Sequence, residues 1–164
     1  MGRHVPPPVL AYIGLGSNLG DRERTLRASA GVLAALPGVS ALRLSSLRET
    51  SPWGELCQGQ PNYLNAVAEI RTLLEPDALL GELHRIEARF GRTRGVRWAP
   101  RTLDLDLLLY GDLVIRTDAL EIPHPRLAER RFVLEPLLEL APDLVVPQGD
   151  PISLLYSRLA DSCR

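Results

Sequence analysis

Leu103-Asp104-Leu105-Asp106-Leu107-Leu108-Leu109-Tyr110 is the run that closes the architecture. It is short and apolar, and Pro100 precedes it while Gly111-Asp112 follows, the punctuation of a buried strand. Aspartate is depleted in strands, so two in one strand need a reason. Residues i and i+2 point to one face, roughly 6.5–7 Å apart at their Cα atoms. Asp104 and Asp106 therefore share a face, and the alternation sends Leu103, Leu105, Leu107 and Leu109 the other way, into a core. Two adjacent carboxylates repel unless a proton or a cation lies between them. Hard oxygen ligands favour Mg²⁺ or Mn²⁺, and Mg²⁺ takes one or two carboxylates plus substrate phosphates. Arg97 and Arg101 lie just upstream, and the planar arginine fork suits phosphate. A bare Asp-x-Asp is equally an edge strand with a solvated acidic face; the flanking arginines and Trp98 weigh against that.

Upstream, Val9 to Leu15 reads as a first buried strand and Gly16-Ser17-Asn18-Leu19-Gly20 as a turn. Asp21 begins a helix with the apolar stripe Leu26, Ala30 and Leu33, an i,i+4 pair of Glu23 and Arg27, and a stop at Pro37-Gly38. Val39 to Glu49 suggests a second strand, and a loop runs from Thr50 to Pro61. Asn62 to Thr72 is a third strand with clear alternation: Leu64, Ala66, Ala68 and Ile70 face one way, Tyr63, Asn65, Val67 and Glu69 the other. Pro76 opens a helix through Leu79, Leu83, Ile86 and Phe90, capped by Gly91. The loop from Gly91 to Pro100 carries Arg92, Arg94 and Arg97; its glycines and like charges predict mobility when empty.

The aspartate run is then the fourth strand of a β-α-β-β-α-β order, the ferredoxin-like pattern. Downstream lie a short strand, Leu113 to Arg116, a helix from Pro136 through Leu140, and a final amphipathic helix carrying Ile152, Leu155, Tyr156 and Leu159. The expected class is α+β, a ferredoxin-like core with an additional C-terminal strand and helices. Residues 1–8 form a flexible segment and 9–164 a single domain. Such a fold by itself names no function.

The 164 residues suffice for one proper core, and the net charge of -1 argues against a general nucleic-acid or polybasic membrane binder. All 19 Lys+Arg residues are arginine. A lysine Schiff base and a Walker-type loop are therefore excluded, and phosphate must be held by arginine, histidine, backbone or metal. Cys57 and Cys163 are far apart and make no metal or redox motif, as expected of free thiols in a reducing compartment. Met1 to Pro8 lacks the apolar core of a signal peptide, and no segment is long and apolar enough to span a bilayer, so a cytoplasmic protein is expected.

Two further clusters carry chemistry. Tyr63 and Asn65 place an aromatic ring and a carboxamide on one strand face, able to stack on a flat heterocycle and bond its edge. His124 is followed within a few residues by Arg126, Arg130 and Arg131, a combination suited to phosphate. Gly14, Gly16 and Gly20 have the wrong spacing for a dinucleotide fingerprint, so Gly16 to Gly20 reads as a tight turn.

Taken together, these segments resemble the 6-hydroxymethyl-7,8-dihydropterin pyrophosphokinase family of folate biosynthesis. The resemblance covers nearly the whole chain: Ala11 to Gly20, Gln60 to Ala66, Gly91 to Arg94, Arg97 to Asp106, and Ile122 to Arg126. Its most specific part is Arg97-Trp98-Ala99-Pro100-Arg101-Thr102-Leu103-Asp104-Leu105-Asp106. It implies transfer of the diphosphoryl group of ATP to the hydroxymethyl group of a reduced pterin, with release of AMP. It implies that Asp104 and Asp106 hold two Mg²⁺ ions and that Arg92 and Arg101 act with them in catalysis. Glu87, Arg92, Trp98, Arg101, Leu107, His124 and Arg130 align with the ATP side. Thr50, Ser51, Trp53, Tyr63, Asn65 and Phe132 align with the pterin side. It implies a monomer acting on ATP and pterin, without nucleic acid or membrane. Arg131 adds a positive charge to which the resemblance assigns no role.

Two other classes compete. Another Mg²⁺-dependent nucleotidyl or phosphoryl transferase could use the same Asp pair, and product identity separates the two. An RNA-binding ferredoxin-like module needs aromatics on central strands and net positive charge. Here the strand expected at the centre carries two aspartates, which repel a phosphate backbone.

Overall fold

Apolar runs without a polar face, such as Ala11 to Leu15 and Ala66 to Ala68, must be covered on both sides, and the fold does this with helices on each face of one sheet. The computed structural model describes residues 2–51, 62–91 and 102–162. The elements are β1 (Val9–Ser17), α1 (Arg22–Ala34), β2 (Val39–Leu44), β3 (Arg48–Thr50), β4 (Tyr63–Thr72), α2 (Pro76–Arg89) and β5 (Asp104–Tyr110). A two-stranded ribbon follows, β6 (Ile115–Arg116) with β7 (Glu121–Ile122), then a 3-10 turn at Leu127–Glu129, α3 (Arg131–Leu140) and α4 (Ile152–Ser162). The main sheet has the order β2-β4-β1-β5, with β3 paired to β4, and every pairing is antiparallel. This is an α+β fold.

The two faces hold separate cores. Ile13, Leu26, Leu33, Ile70, Leu79, Leu83, Leu105 and Leu107 pack together between the sheet and α1 and α2. Tyr12, Val67, Leu108, Leu109, Leu134, Leu137 and Ile152 pack on the opposite face, under α3 and α4. Local signals hold at the helix starts: Asp21 accepts a bond from the Arg24 backbone N–H at 3.1 Å, and Pro76 opens α2. No helix among the described residues is long and apolar enough to cross a membrane.

Several boundaries differ from the sequence expectation. β1 runs through Ser17 rather than ending at Leu15, so Gly16 is a strand residue and not part of the turn. The expected strand Val39 to Glu49 breaks at Ser45, whose Oγ takes the ladder bond from the Val67 N–H at 2.9 Å. The aspartate strand β5 lies at an edge, paired with β1 alone among the described strands. Leu109 does not share a face with Leu105 and Leu107, because the register jumps from Tyr12 opposite Leu109 to Ile13 opposite Leu107. Leu108 is thereby bulged, and the alternation reverses beyond it. The helix expected at Pro136 begins at Arg131 with the proline inside it. Proline removes one helical donor; the buried stripe Val133, Leu134 and Leu137 holds the helix despite that loss. The strand expected over Leu113 to Arg116 shrinks to Ile115–Arg116.

Candidate active site

The antiparallel register assembles the site. Gly16 lies opposite Asp104 on one side and Asn65 on the other; Gly14 lies opposite Asp106 and Val67. Directly opposed residues share a face. The acid pair and the Asn65 carboxamide therefore look out from the same side of the sheet, separated by two residues without side chains. Both aspartates are partly exposed, so they remain accessible to a ligand.

Cations gather at the acid end. Arg130 Nη1 lies 3.5 Å from Asp106 Oδ2, and the same guanidinium sits 5.7 Å from the centroid of the Phe132 ring. The His124 segment is fixed by its backbone N–H, which donates to the carbonyl of the bulged Leu108 at 2.9 Å. Burial and the nearby Arg130 push the His124 pKa down to about 4, against the pull of Asp104. The imidazole is thus neutral near pH 7. Its Nδ1 accepts the Arg126 N–H at 3.1 Å, which assigns the ring proton to Nε2. A neutral N–H donor beside an arginine is suited to a phosphate oxygen.

The other end is built around Asn65, which is 6% exposed. Its Nδ2 donates to Thr50 Oγ1 at 2.6 Å. A Cβ added at Gly16 would stand 3.1 Å from Asn65 Oδ1 and 3.7 Å from Tyr63 Cδ1. Gly16, Tyr63 and Asn65 therefore make one wall, and glycine leaves the carboxamide oxygen room. Phe132 is partly exposed at the start of α3. Ser51 is exposed at the end of a described segment.

Two residues expected on the nucleotide side are placed by the core. Glu87 is 2% exposed, and its Oε2 accepts the Leu105 N–H at 3.1 Å, steadying β5 between its two aspartates. Leu107 is 4% exposed within the α1/α2 core, which leaves its backbone as the part able to meet a ligand. Trp53, Arg92, Trp98 and Arg101, with the loop expected to move, lie outside the described residues. Gly16 was missed by sequence reasoning: only the register with Asn65 and Asp104 reveals its position.

A divalent cation fits the donor set. No group of three or more histidine, cysteine, aspartate or glutamate side chains converges among the described residues, so no closed protein cage is present. Two accessible carboxylates on one face, backed by glycines, match the partial coordination that Mg²⁺ accepts when phosphates supply the rest.

The enzyme 2-amino-4-hydroxy-6-hydroxymethyldihydropteridine pyrophosphokinase of Haemophilus influenzae is 45% identical over 153 residues, covering 93% of this chain and 94% of its own. The protein of the same name from Bacillus subtilis is 48% identical over 131 residues, 80% of this chain and 77% of its own. Among solved structures, an HPPK-DHPS in complex with substrates superposes with a TM-score of 0.74 at 14% identity, over 96% of this chain. The Plasmodium falciparum HPPK-DHPS with pteroate gives 0.72 at 15% identity, over 98% of this chain. This chain spans 44% of each of those two, and at such identity they speak for the fold alone. The model of the 7,8-dihydro-6-hydroxymethylpterin-pyrophosphokinase family matches residues 12–142, and with these relatives it shows that the chain belongs to that family.

Proposed function

We infer that this protein transfers the diphosphoryl group of ATP to the hydroxymethyl group of 6-hydroxymethyl-7,8-dihydropterin in folate biosynthesis. The observation that carries the reading is the facing of Asp104 and Asp106, across Gly16 and Gly14, toward Asn65, with Arg130 and neutral His124 at the acid end. One end suits a triphosphate and the other a flat heterocycle.

In the reaction the hydroxymethyl oxygen bonds to the β-phosphorus as the bond from that phosphorus to the α–β bridging oxygen breaks; the hydroxyl proton passes to solvent and the bridging oxygen leaves on AMP, giving AMP and the pterin diphosphate. Such transfers depend mainly on positioning and charge stabilisation. Asp104 and Asp106 would hold Mg²⁺, two ions in this reading, which when bound supplies neutralisation of the triphosphate charge. Arg130 and His124 Nε2–H donate to phosphate oxygens, and Arg92 and Arg101 join them. Because its ring proton is on Nε2, His124 serves there as a donor and not as the base. Asn65 bonds the pterin edge, held in place by Thr50, and Ser51 and Trp53 are assigned to the same substrate. Tyr63 and Phe132 flank the ring. Glu87, Trp98 and the backbone of Leu107 are assigned to the nucleotide.

The order β2-β4-β1-β5, with α1 and α2 on one face, supports reading the core as ferredoxin-like. Residues 9–164 as one domain behind an N-terminal segment 1–8, a monomer and a cytoplasmic location belong to the same reading. Incubation with ATP, Mg²⁺ and the reduced pterin tests the function. AMP formed in step with consumed pterin supports it; ADP as the main product would move the protein to another class of Mg²⁺-dependent phosphoryl transferase.

A further inference from the structure

Arg131 sits between two residues of the site, Arg130 and Phe132, yet its side chain turns elsewhere. Its Nε donates to Glu135 Oε1 at 2.7 Å and its Nη2 to Tyr156 Oη at 3.0 Å; that hydroxyl in turn donates to Glu135 Oε1 at 3.0 Å. The guanidinium also lies 5.5 Å from the Tyr156 ring centroid. Glu135 is thus the hub of α3 and α4. Its other oxygen, Oε2, accepts Arg48 Nη1 at 3.0 Å, and Arg48 belongs to β3. Arg48 Nη2 reaches Glu139 Oε2 at 3.3 Å, and Glu139 also accepts the Ser46 N–H at 2.9 Å and Ser46 Oγ at 2.7 Å.

This network has a definite place relative to the site. β3 is three residues long and pairs only with β4 among the described strands, so its backbone ladder alone holds it weakly. Two residues beyond Arg48, on the same strand face, is Thr50, the partner of the Asn65 carboxamide. At the far side of the network, α3 begins with Arg131-Phe132 directly after Arg130. The charges therefore join the segment that fixes Asn65 to the helix that carries Phe132. Arg48 Nε is buried and has no hydrogen-bond partner among the described residues, so the grip rests on the two Nη groups.

We propose that Arg48, Glu135 and Arg131 are positioning residues for the transfer: they set the spacing between the Thr50–Asn65 wall and the Phe132 wall of the pterin site without touching substrate. The inference rests on the functional reading above. It predicts a split effect. Loss of Arg48 frees β3 and hence Thr50, while α3 stays anchored by Val133, Leu134 and Leu137. The acid pair and His124 are attached to β5 and do not depend on β3.

The test is steady-state kinetics of the full chain with ATP, Mg²⁺ and 6-hydroxymethyl-7,8-dihydropterin, well below each variant's melting temperature. Arg48→Met should raise the pterin KM at least fivefold and leave the ATP KM within twofold. Arg48→Lys, which keeps one charged donor toward Glu135, should recover part of the loss. Arg131→Ala, at an exposed side chain and so without risk to folding, should shift the pterin KM in the same direction by less. Arg27→Ala, removing a surface pair with Glu23, should change neither. If wild type yields no AMP, the functional reading falls and the inference with it. If wild type turns over and Arg48→Met and Arg131→Ala only lower the melting temperature, or raise both KM values alike, the positioning role alone is overturned.

Discussion

The substitution Gly16→Ala tests the site geometry with the addition of a single carbon. Its Cβ would stand 3.1 Å from Asn65 Oδ1, a few tenths of an ångström tighter than ordinary contact. Asn65 has little freedom to retreat: it is buried, and its Nδ2 is held by Thr50 Oγ1 at 2.6 Å. Either the carboxamide turns or that bond lengthens, and both spoil its aim at a ligand. A bond lost to a buried polar partner costs about 1–3 kcal/mol, which converts to roughly 5- to 150-fold in pterin affinity. Folding should change by less than about 1 kcal/mol, because alanine recovers backbone entropy that glycine spends in a strand. Calorimetry with a pterin analogue and a non-hydrolysable ATP analogue separates the two ends of the site. The pterin Kd should rise within that range, with the ATP-analogue Kd within twofold. Gly14→Ala is the internal comparison: its nearest neighbours would be Leu108 side-chain carbons from 3.6 Å, ordinary contact, so it should have the smaller effect on pterin. An unchanged pterin Kd in Gly16→Ala, or equal losses for both ligands, refutes the assignment of Gly16 and Asn65 to the heterocycle end.

Asp106→Ala should lower kcat by about a hundredfold or more, the scale of losing one transition-state electrostatic contact, while the melting temperature holds; near-normal turnover would remove the acid pair from the mechanism. Glu87→Leu should destabilise the fold by about 1–3 kcal/mol in denaturant titration, since it leaves the buried Leu105 N–H without its acceptor; an unchanged midpoint would show that Glu87 does not hold β5. Acid should loosen the α3–β3 network. Burial raises the Glu135 carboxyl, but bonds from Arg131, Tyr156 and Arg48 outweigh it, and bonds from Ser46 and Arg48 lower Glu139. A depressed carboxylate stabilises the fold above its unfolded value, near 4.5, and that contribution is lost as pH falls through the lower folded value. Melting temperature against pH should therefore drop more steeply below that point in wild type than in Glu139→Gln, and parallel curves would contradict the linkage.

Much of this arrangement is legible in the sequence where the signal is local. Asp21 and Pro76 mark helix starts with known chemistry, and the Tyr63–Thr72 alternation separates the side chains of the α1/α2 core from those of the opposite face. The parts that escape depend on partners distant in sequence. Gly16 resembles a turn residue until its opposite numbers on β4 and β5 are known. Arg131 resembles one more phosphate ligand among three arginines until Glu135 and Tyr156 claim it. At Ser45 the hydroxyl takes the Val67 N–H in place of a backbone carbonyl while the Ser45 N–H still donates to the Val67 carbonyl, a substitution that no propensity scale encodes.

The least legible feature is also the one that joins His124 to the strand of the acid pair. Leu107-Leu108-Leu109 is three identical residues, so a one-residue slip of the strand period leaves no trace in the pattern. The slip has consequences. Before it, Asp104 and Asp106 face the site while Leu105 and Leu107 fill the α1/α2 core; after it, Leu109 packs under α3 and α4 and Tyr110 returns to the first core. The strand can thus show carboxylates at one end and an apolar surface at the other on the same side of the sheet. The bulged Leu108 also offers its carbonyl to the His124 N–H, so the histidine is delivered beside the acid pair by the same irregularity that sets the strand's phase.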